Sequence, residues 1–198
     1  MTGSNQSRVQ KLFNLSGRVA IVTGGAGLLG YHHADVLAAA GAHVVLLDLP
    51  AADPASRAAQ LTAAHGVECL GLIADITNES SLAEIRSQTI QKFGTIDILI
   101  NNAANNPKVE DTKGQTWSRL ENFPLDVWDA DIRVGLTGAF LCSRVFGAEM
   151  AKRDRPGFPR GDEGKFQPGA DFASWYGHVL TSPRVIQRRG DLATDEHG

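Results

Sequence analysis

Glycines at a fixed spacing are the first residues in the chain whose types could serve chemistry. Gly25, Gly27 and Gly30 form the pattern Gly-x-Gly-x-x-Gly, directly after an apolar run and directly before a helix-like segment. In that context Gly25 permits a tight turn, Gly27 lets the backbone approach a pyrophosphate, and Gly30 allows close packing of helix and strand. We expect the free amides of the next helix, from Leu28 and Leu29 onward, to point at the phosphates, because the positive end of the helix dipole lies there.

The glycine pattern alone is weak evidence, so the residues around it decide its meaning. A second apolar run, residues 43–47, ends at Asp48. A carboxylate at that place accepts hydrogen bonds from an adenosine ribose and repels a 2′-phosphate. No arginine or lysine stands beside the glycines, so the pattern predicts a dinucleotide site that prefers NAD to NADP. The simpler alternative is that Asp48 is a surface acid at a strand end.

Apolar runs and helix-like segments alternate between residues 17 and 153, which we interpret as one dinucleotide-binding domain. This alternation predicts an α/β fold: a doubly wound parallel sheet, or Rossmann fold, in three layers, α/β/α. Such a sheet binds its ligand at the carboxyl ends of the strands. The predicted strands are residues 19–22, 43–47, 69–74 and 96–100; the predicted helices are 28–40, 54–64, one capped by Thr77 or Asn78 and ended by Gly94, and 124–150.

Two of these helices carry more detailed expectations. The apolar residues of the first are spaced to form one face: Leu29, Val36, Leu37 and Ala40. Gly41 is expected to end that helix. The last helix contains Gly135 and Gly138, and each interior glycine costs about 1 kcal/mol relative to alanine. Close packing of another backbone or of a cofactor would explain them.

The composition argues against several classes of function. The chain has 198 residues and a net charge of −3, so it offers no basic field for nucleic acid or an anionic membrane surface. Neither a bilayer-spanning apolar run nor a secretory signal is visible, which predicts a cytoplasmic protein. Cys69 and Cys142 are expected to be small buried apolar residues rather than a disulfide framework. His32 and His33 are adjacent and cannot share a metal ion, so no metal site is predicted.

The two ends of the chain differ in character from its middle. Residues 1–16 form a polar leader. From Lys152 onward the periods of helix and strand disappear, and residues 154–198 are interpreted as an irregular, loop-rich tail. Only residues 172–180 carry apolar weight there. The sheet is therefore expected to be incomplete at its C-terminal side, with either a truncated or frame-shifted end or a genuine divergent one.

Taken together, these motifs resemble the short-chain dehydrogenase/reductase family. The likeness covers roughly residues 17–150, and the pair of asparagines after the fourth strand separates this family from other Rossmann folds. The residues that carry it are TGGAGLLG at 23–30, Asp48, Asp75-Ile76-Thr77, NNAA at 101–104 and the segment from Trp128 to Met150. The family's commoner glycine pattern has glycine where this chain has Leu28.

The resemblance implies roles for residues beyond the glycines. Asp75 and the amide of Ile76 would read the adenine edge, and Asn102 and Ala103 would line the nicotinamide side. Asp48 would favour NAD. The structural alternatives are that Asp75 is a partner in a helix N-cap and that the asparagines form a strand-end turn.

The family's catalytic residues have no recognisable counterparts in this chain. The family uses a tyrosine with a lysine four residues later, but Tyr31 is followed at that place by Asp35 and Tyr176 by Leu180. Gly135 stands where the family's helix carries an asparagine. The candidates for the family's serine, by residue type only, are Ser174 and Ser182. No catalytic residue is therefore assigned.

By resemblance, the chain is expected to be an NAD-dependent oxidoreductase that moves a hydride to or from a small alcohol or carbonyl substrate, and to be truncated. The alternative is a catalytically inactive NAD(H)-binding module, or the partner of an intact relative. A methyltransferase shares the glycine-rich turn but does not explain the two asparagines. A homo-oligomer through the helix 124–150 is expected, or aggregation through an exposed edge of the fourth strand.

Overall fold

The computed structural model of the protein describes residues 13–105 and 120–152. Most of the polar leader, the centre of the loop after the fourth strand and the tail from residue 153 lie outside the described residues. So do Tyr176, Ser174 and Ser182, and the expectations attached to them stay predictions.

The strands form one parallel sheet, as predicted. The strands are β1 Val19–Thr23, β2 His43–Asp48, β3 Cys69–Ile73 and β4 Ile98–Ile100, in the spatial order β3-β2-β1-β4. Every residue of β1 is buried, as expected for a parallel strand covered on both faces. The chain moves outward from β1 to β3 and then returns to the other side of β1. This reversal creates the switch point at which doubly wound sheets bind ligands.

The first three helices begin and end close to their predicted bounds. The helices are α1 Leu28–Ala39, α2 Pro54–His65, α3 Glu79–Phe93, α4 Leu125–Ile132 and α5 Ala139–Ala151, with short 3-10 turns at Pro50–Ala52 and Leu120–Asn122. Asn78 caps α3 by accepting from the amides of Ser80 and Ser81. Gly41 and Gly94 follow α1 and α3 with φ of 94° and 75°, which confirms them as helix ends.

Apolar side chains on the two faces of the sheet make two cores, which confirms the three layers. On one face, Val22, Val44 and Leu46 pack with residues of α1 and α2. On the other face, the strand residues Ile21 and Val45 pack with residues of α3 and α5. No helix within residues 13–105 and 120–152 has the length and apolarity needed to span a bilayer.

The buried face of α1 differs from the predicted one. Leu29 and Val36 are 65% and 67% exposed, and the face against the sheet consists of small residues, Gly30, Ala34 and Ala38. Small side chains let the helix axis approach the sheet more closely than a row of leucine and valine would permit. Of the predicted face, Leu37 packs against the core, whereas Leu29 and Val36 do not, so the prediction is only partly right.

The predicted helix 124–150 is interrupted by a π-helical segment, Arg133–Gly138, between α4 and α5. A Cβ on Gly138 would lie 2.6 Å from Cδ1 of Ile76, so close packing explains this glycine, although the neighbour is a side chain and not a backbone or a cofactor. A Cβ on Gly135 would have no neighbour within 4 Å, so the same expectation is wrong there.

The cysteines are free, and they differ in burial. Cys142 is fully buried, and desolvation raises the pKa of its thiol to about 12. Cys69 is partly buried, and burial raises the pKa of its thiol as well. The expectation of a buried apolar cysteine is confirmed for Cys142 and holds only in part for Cys69.

Strand β4 is shorter than predicted and is preceded by a buried carboxylate. Asp97 is 3% exposed and accepts from the amide of Val19 at 3.0 Å and from the guanidinium of Arg18 at 3.1 Å. Thr95 Oγ1 lies 3.5 Å from the same carboxylate. These bonds join the beginnings of β1 and β4. Within the described residues, β4 is an edge strand.

Replacing Asp97 by alanine is expected to lower the free energy of unfolding by about 2–4 kcal/mol, because the buried amide of Val19 loses its acceptor and Arg18 loses its partner. Urea unfolding measures this loss. Glu68→Ala, which removes an exposed ion pair with Lys92, serves as the control and is expected to cost much less. Equal losses in the two variants would contradict this role for Asp97.

One face of the segment from α4 to α5 exposes large apolar side chains. The exposed fractions are 78% for Leu125, 54% for Trp128, 36% for Ile132, 64% for Leu136 and 57% for Phe140. Several large exposed apolar side chains on neighbouring turns are typical of interaction surfaces. The homo-oligomer through this helix stays a prediction.

Leu136→Glu is expected to shift the protein toward a monomer, because it places a charge in the centre of this apolar face. Light scattering at tens of micromolar measures the change in mass. Val36→Glu alters an equally exposed apolar residue on α1 and should leave the mass unchanged. A monomeric unmutated chain at this concentration would show that the face is not an interface between copies.

Candidate cofactor-binding cleft

A cleft of about 470 Å³ opens at the carboxyl ends of β1, β2 and β4. Every residue predicted from the sequence to hold a cofactor lines it, with the single exception of Gly25: Gly27, Leu28, Leu29, Gly30, Asp48, Asp75, Ile76, Asn102 and Ala103. The structure adds residues that sequence reasoning missed: Gly24, Leu47, Leu49, Ala74, Ala104 and Val134. Val134 lies in the π-helical segment, far from any glycine motif in sequence.

The tight turn after β1 needs glycine at Gly24 as well as at Gly25. Gly24 has a φ of 62°, a region that favours glycine, and its Cβ position is 3.0 Å from both Cα of Ala103 and Nδ2 of Asn102. Gly25 has no positive φ; a Cβ there would lie 2.8 Å from the carbonyl oxygen of Val22 and 3.0 Å from Cβ of Leu46. Gly24 therefore supplies the residue with positive φ, and Gly25 lets the turn pack closely against both β1 and β2.

The two later glycines behave differently from each other. A Cβ on Gly30 would overlap the carbonyl group of Gly24, so α1 begins in direct contact with the turn. This confirms close packing at Gly30, although the partner is the turn after the strand. A Cβ on Gly27 would meet only the carbonyl oxygen of Gly24, at 3.3 Å. Because Gly27 lines the cleft, its missing side chain leaves space there for a ligand.

The first turn of α1 fits an anion. Gly27 is the N-cap and supplies no side-chain hydrogen bond, and no acidic residue lies in the first turn. The amides at the start of a helix have no partners within it, and the dipole places positive potential there. Leu28 and Leu29 line the cleft at this point. The pyrophosphate of a dinucleotide therefore matches both the space at Gly27 and the donors beside it.

Asp48 lies at the end of β2 on the wall of the same cleft. Its Oδ2 accepts from the amide of Ala26 at 3.0 Å, and its Oδ1 accepts from the amide of Leu49 at 2.9 Å. A carboxylate has about four acceptor sites, so capacity remains for the hydroxyl groups of a ribose. Asp48 is thus an acid at a strand end, as the simple alternative states, but one that also accepts from two backbone amides.

Asp75 is exposed, and its Oδ1 accepts from both the amide and the hydroxyl of Thr77 at 2.8 Å. These bonds shape the turn into α3, while Asn78 provides the actual cap. Ile76 is buried beside Gly138, so it joins the cleft wall to the π-helical segment. Both residues line the cleft; their contact with adenine stays a prediction.

Asn102 and Ala103 tie the end of β4 to the glycine turn. Nδ2 of Asn102 donates to the carbonyl oxygens of Thr23 at 3.0 Å and Gly24 at 3.3 Å. The amides of both residues donate to Oγ1 of the buried Thr23, each at 3.0 Å. The strand-end turn proposed as the alternative is therefore present, and the same residues line the cleft. Thr23 opens the motif TGGAGLLG, but the sequence did not indicate that its hydroxyl accepts from these two amides.

A family model of the short chain dehydrogenases matches residues 18–157. The chain belongs to this family. It is 34% identical over 150 residues to an uncharacterized oxidoreductase, UxuB, of Bacillus subtilis, an alignment that covers 72% of this chain and 53% of the relative. The chain spans about half the length of the curated relatives it matches.

Solved structures of the family share the fold of this short-chain dehydrogenase chain. An NAD⁺-bound xylitol dehydrogenase is 26% identical with a TM-score of 0.59, covering 69% of this chain and 49% of the other. A complex of RhlG of Pseudomonas aeruginosa with NADP is 27% identical with a TM-score of 0.62, covering 74% and 53%. The family binds nicotinamide cofactors, and these neighbours include both NAD and NADP complexes.

The one tyrosine among the described residues does not belong to the cleft. Tyr31 lies on α1, where the guanidinium of Arg57 sits 5.1 Å from the centre of its ring. The cleft lining does not include Tyr31. No proton-transferring tyrosine is therefore assigned within residues 13–105 and 120–152.

Substitutions at Gly27 and Gly30 are expected to affect different properties, cofactor binding at Gly27 and folding stability at Gly30. Gly27→Ala is expected to fold with a loss of stability under about 1 kcal/mol and to weaken NAD binding about tenfold, because the new methyl group enters the space proposed for the pyrophosphate. Gly30→Ala is expected to lose about 1–3 kcal/mol of folding stability through overlap with Gly24. Thermal unfolding and calorimetry measure the two effects.

Gly135→Ala is the matched control, since a Cβ has open space there and the site lies outside the cleft lining. It should leave NAD affinity unchanged. A Gly27→Ala protein that binds NAD as tightly as the control would remove Gly27 from the phosphate site.

Proposed function

We propose that this chain binds NAD in the cleft at the carboxyl ends of β1, β2 and β4, as the cofactor-binding part of a short-chain dehydrogenase that oxidises or reduces a small substrate. When bound, NAD would supply the acceptor or donor of a hydride. The observation that carries the proposal is that the start of α1, which has no side-chain cap, lies where Gly27 lines the cleft.

The residues of the chain would divide the work of binding. The amides at the start of α1 hold the pyrophosphate, with Leu28 and Leu29 beside them on the cleft wall. Asp48 accepts from the ribose hydroxyls and repels a 2′-phosphate. Asn102 and Ala103 face the nicotinamide side, at the end of β4.

The substrate is proposed to be a small alcohol or its carbonyl product. Support comes from a solved family member, a xylitol dehydrogenase bound to NAD⁺, to which this chain is 26% identical. The substrate would meet the nicotinamide side of the cleft, near Ala104 and Val134. A cytoplasmic location fits this chemistry, because the cofactor and small metabolites are abundant there.

A second candidate is a module that binds NAD(H) without chemistry, alone or as the partner of an intact relative. One observation favours it: neither Tyr31 nor Tyr176 has a lysine four residues later in this sequence. Without that pair, the proton of the substrate hydroxyl has no assigned acid or base. The two candidates share the cofactor site and differ only in turnover.

Calorimetry with NAD and with NADP tests the cofactor site that both candidate functions share. NAD is expected to bind at least about tenfold more tightly, because the carboxylate of Asp48 repels the 2′-phosphate of NADP. Preference for NADP would overturn the role given to Asp48, and failure to bind either dinucleotide would overturn the proposed site.

A turnover assay distinguishes the active oxidoreductase from the module that binds NAD(H) without chemistry. We expect little oxidation of a broad panel of hydroxyl compounds, because loss of general acid–base catalysis costs typically 10²- to 10⁴-fold in rate. NADH absorbance measures this directly. Rapid turnover that Tyr176→Phe abolishes would favour the active oxidoreductase over the module and would place Tyr176 in its catalytic machinery.

A further inference from the structure

We propose that Asp48 positions the glycine turn through its acceptor atoms, separately from any effect of its charge on the cofactor. The proposal that Asp48 positions the turn rests on the geometry of the chain alone. The proposal about its charge rests on the proposed function, in which Asp48 discriminates between NAD and NADP.

The turn between β1 and α1 is held from two sides. On the β4 side, Nδ2 of Asn102 donates to the carbonyl oxygens of Thr23 and Gly24. On the β2 side, the amide of Gly25 donates to the carbonyl oxygen of Leu47 at 3.1 Å, and the amide of Ala26 donates to Asp48 Oδ2. Asp48 therefore supplies one of the bonds that join the turn to β2.

The bond from Ala26 is the costly one to lose. Ala26 is 6% exposed, so its amide has little access to water if the carboxylate is removed. A buried donor without an acceptor carries a full desolvation penalty. The amide of Leu49 is different, because Leu49 is 55% exposed and its N–H can bond to water.

This difference makes the two properties of Asp48 separable. Asparagine keeps one acceptor oxygen and removes the charge. Its oxygen is expected to face the buried amide of Ala26, with its NH₂ group toward the solvent side where Leu49 lies. Asp48→Asn should therefore hold the turn but relax the discrimination against NADP, whereas Asp48→Ala should lose both.

Hydrogen exchange on the full chain without cofactor tests the positioning role. The rate at the amide of Ala26 is compared with that of Val22, a fully buried residue of β1 that reports global unfolding. Relative to Val22, Asp48→Ala is expected to accelerate exchange at Ala26 about tenfold, and Asp48→Asn less than about threefold.

Asn78→Ala is the matched control, because it also removes a side chain that accepts from two backbone amides, at the start of α3. It should accelerate exchange at Ser80 and Ser81 and leave the ratio of Ala26 to Val22 unchanged. An unchanged ratio in Asp48→Ala would overturn the positioning role. Equal acceleration in Asp48→Ala and Asp48→Asn would show that the charge, not the acceptor, holds the turn.

Calorimetry on the same proteins tests whether the charge of Asp48 sets the preference for NAD over NADP. Asp48→Asn is expected to reduce the preference for NAD over NADP at least fivefold while keeping the Ala26 protection of the unmutated chain. An unchanged preference would overturn the separation of roles. Failure of the unmutated chain to bind either dinucleotide would overturn the proposed function, while the exchange result would stand without it.

Discussion

The contact between Gly30 and the carbonyl group of Gly24 is the constraint on which the rest of the cleft depends. Only a residue without a side chain lets α1 begin directly against the turn that leaves β1. This contact directs the amides at the start of α1 into the cleft. A larger residue at position 30 would displace the whole start of α1, including Gly27, which lines the cleft.

The turn also depends on the strands beside it. Asp48 holds it on the β2 side, and Asn102 holds it on the β4 side. Both side chains lie on the cleft wall, so the groups that shape the turn are also those proposed to contact the cofactor. Binding would therefore find the turn already ordered, which reduces the entropic cost of association.

Most of the fold could be predicted from the sequence because its signals are local. Continuous apolar runs identified the strands, and Asn78 and Gly94 marked helix ends through their own side-chain or backbone chemistry. The face of α1 could not be predicted in this way. Periodicity favours bulky apolar residues such as Leu29 as the buried ones. In the structure the small residues Gly30, Ala34 and Ala38 are buried instead, because the helix packs closely on the sheet.

The candidate site could be predicted less completely, for a related reason. The glycine spacing located the cleft but could not distinguish Gly24 from Gly25, since the backbone angle that separates them depends on contacts with β2 and β4. Thr23 and Val134 lie within the recognised segments, but only the fold shows that Thr23 accepts from the amides of Asn102 and Ala103 and that Val134 lines the cleft. The bond from Ala26 to Asp48 likewise joins residues that sequence reasoning had no means to pair.

The central claim is that the start of α1 binds the pyrophosphate of NAD. Nuclear magnetic resonance of the ¹⁵N-labelled chain tests it most directly, through the change in backbone amide shifts as NAD is added. The largest changes are expected at Gly27, Leu28 and Leu29. Saturating NAD that leaves these amides unshifted, or shifts only amides away from the cleft, would contradict the claim.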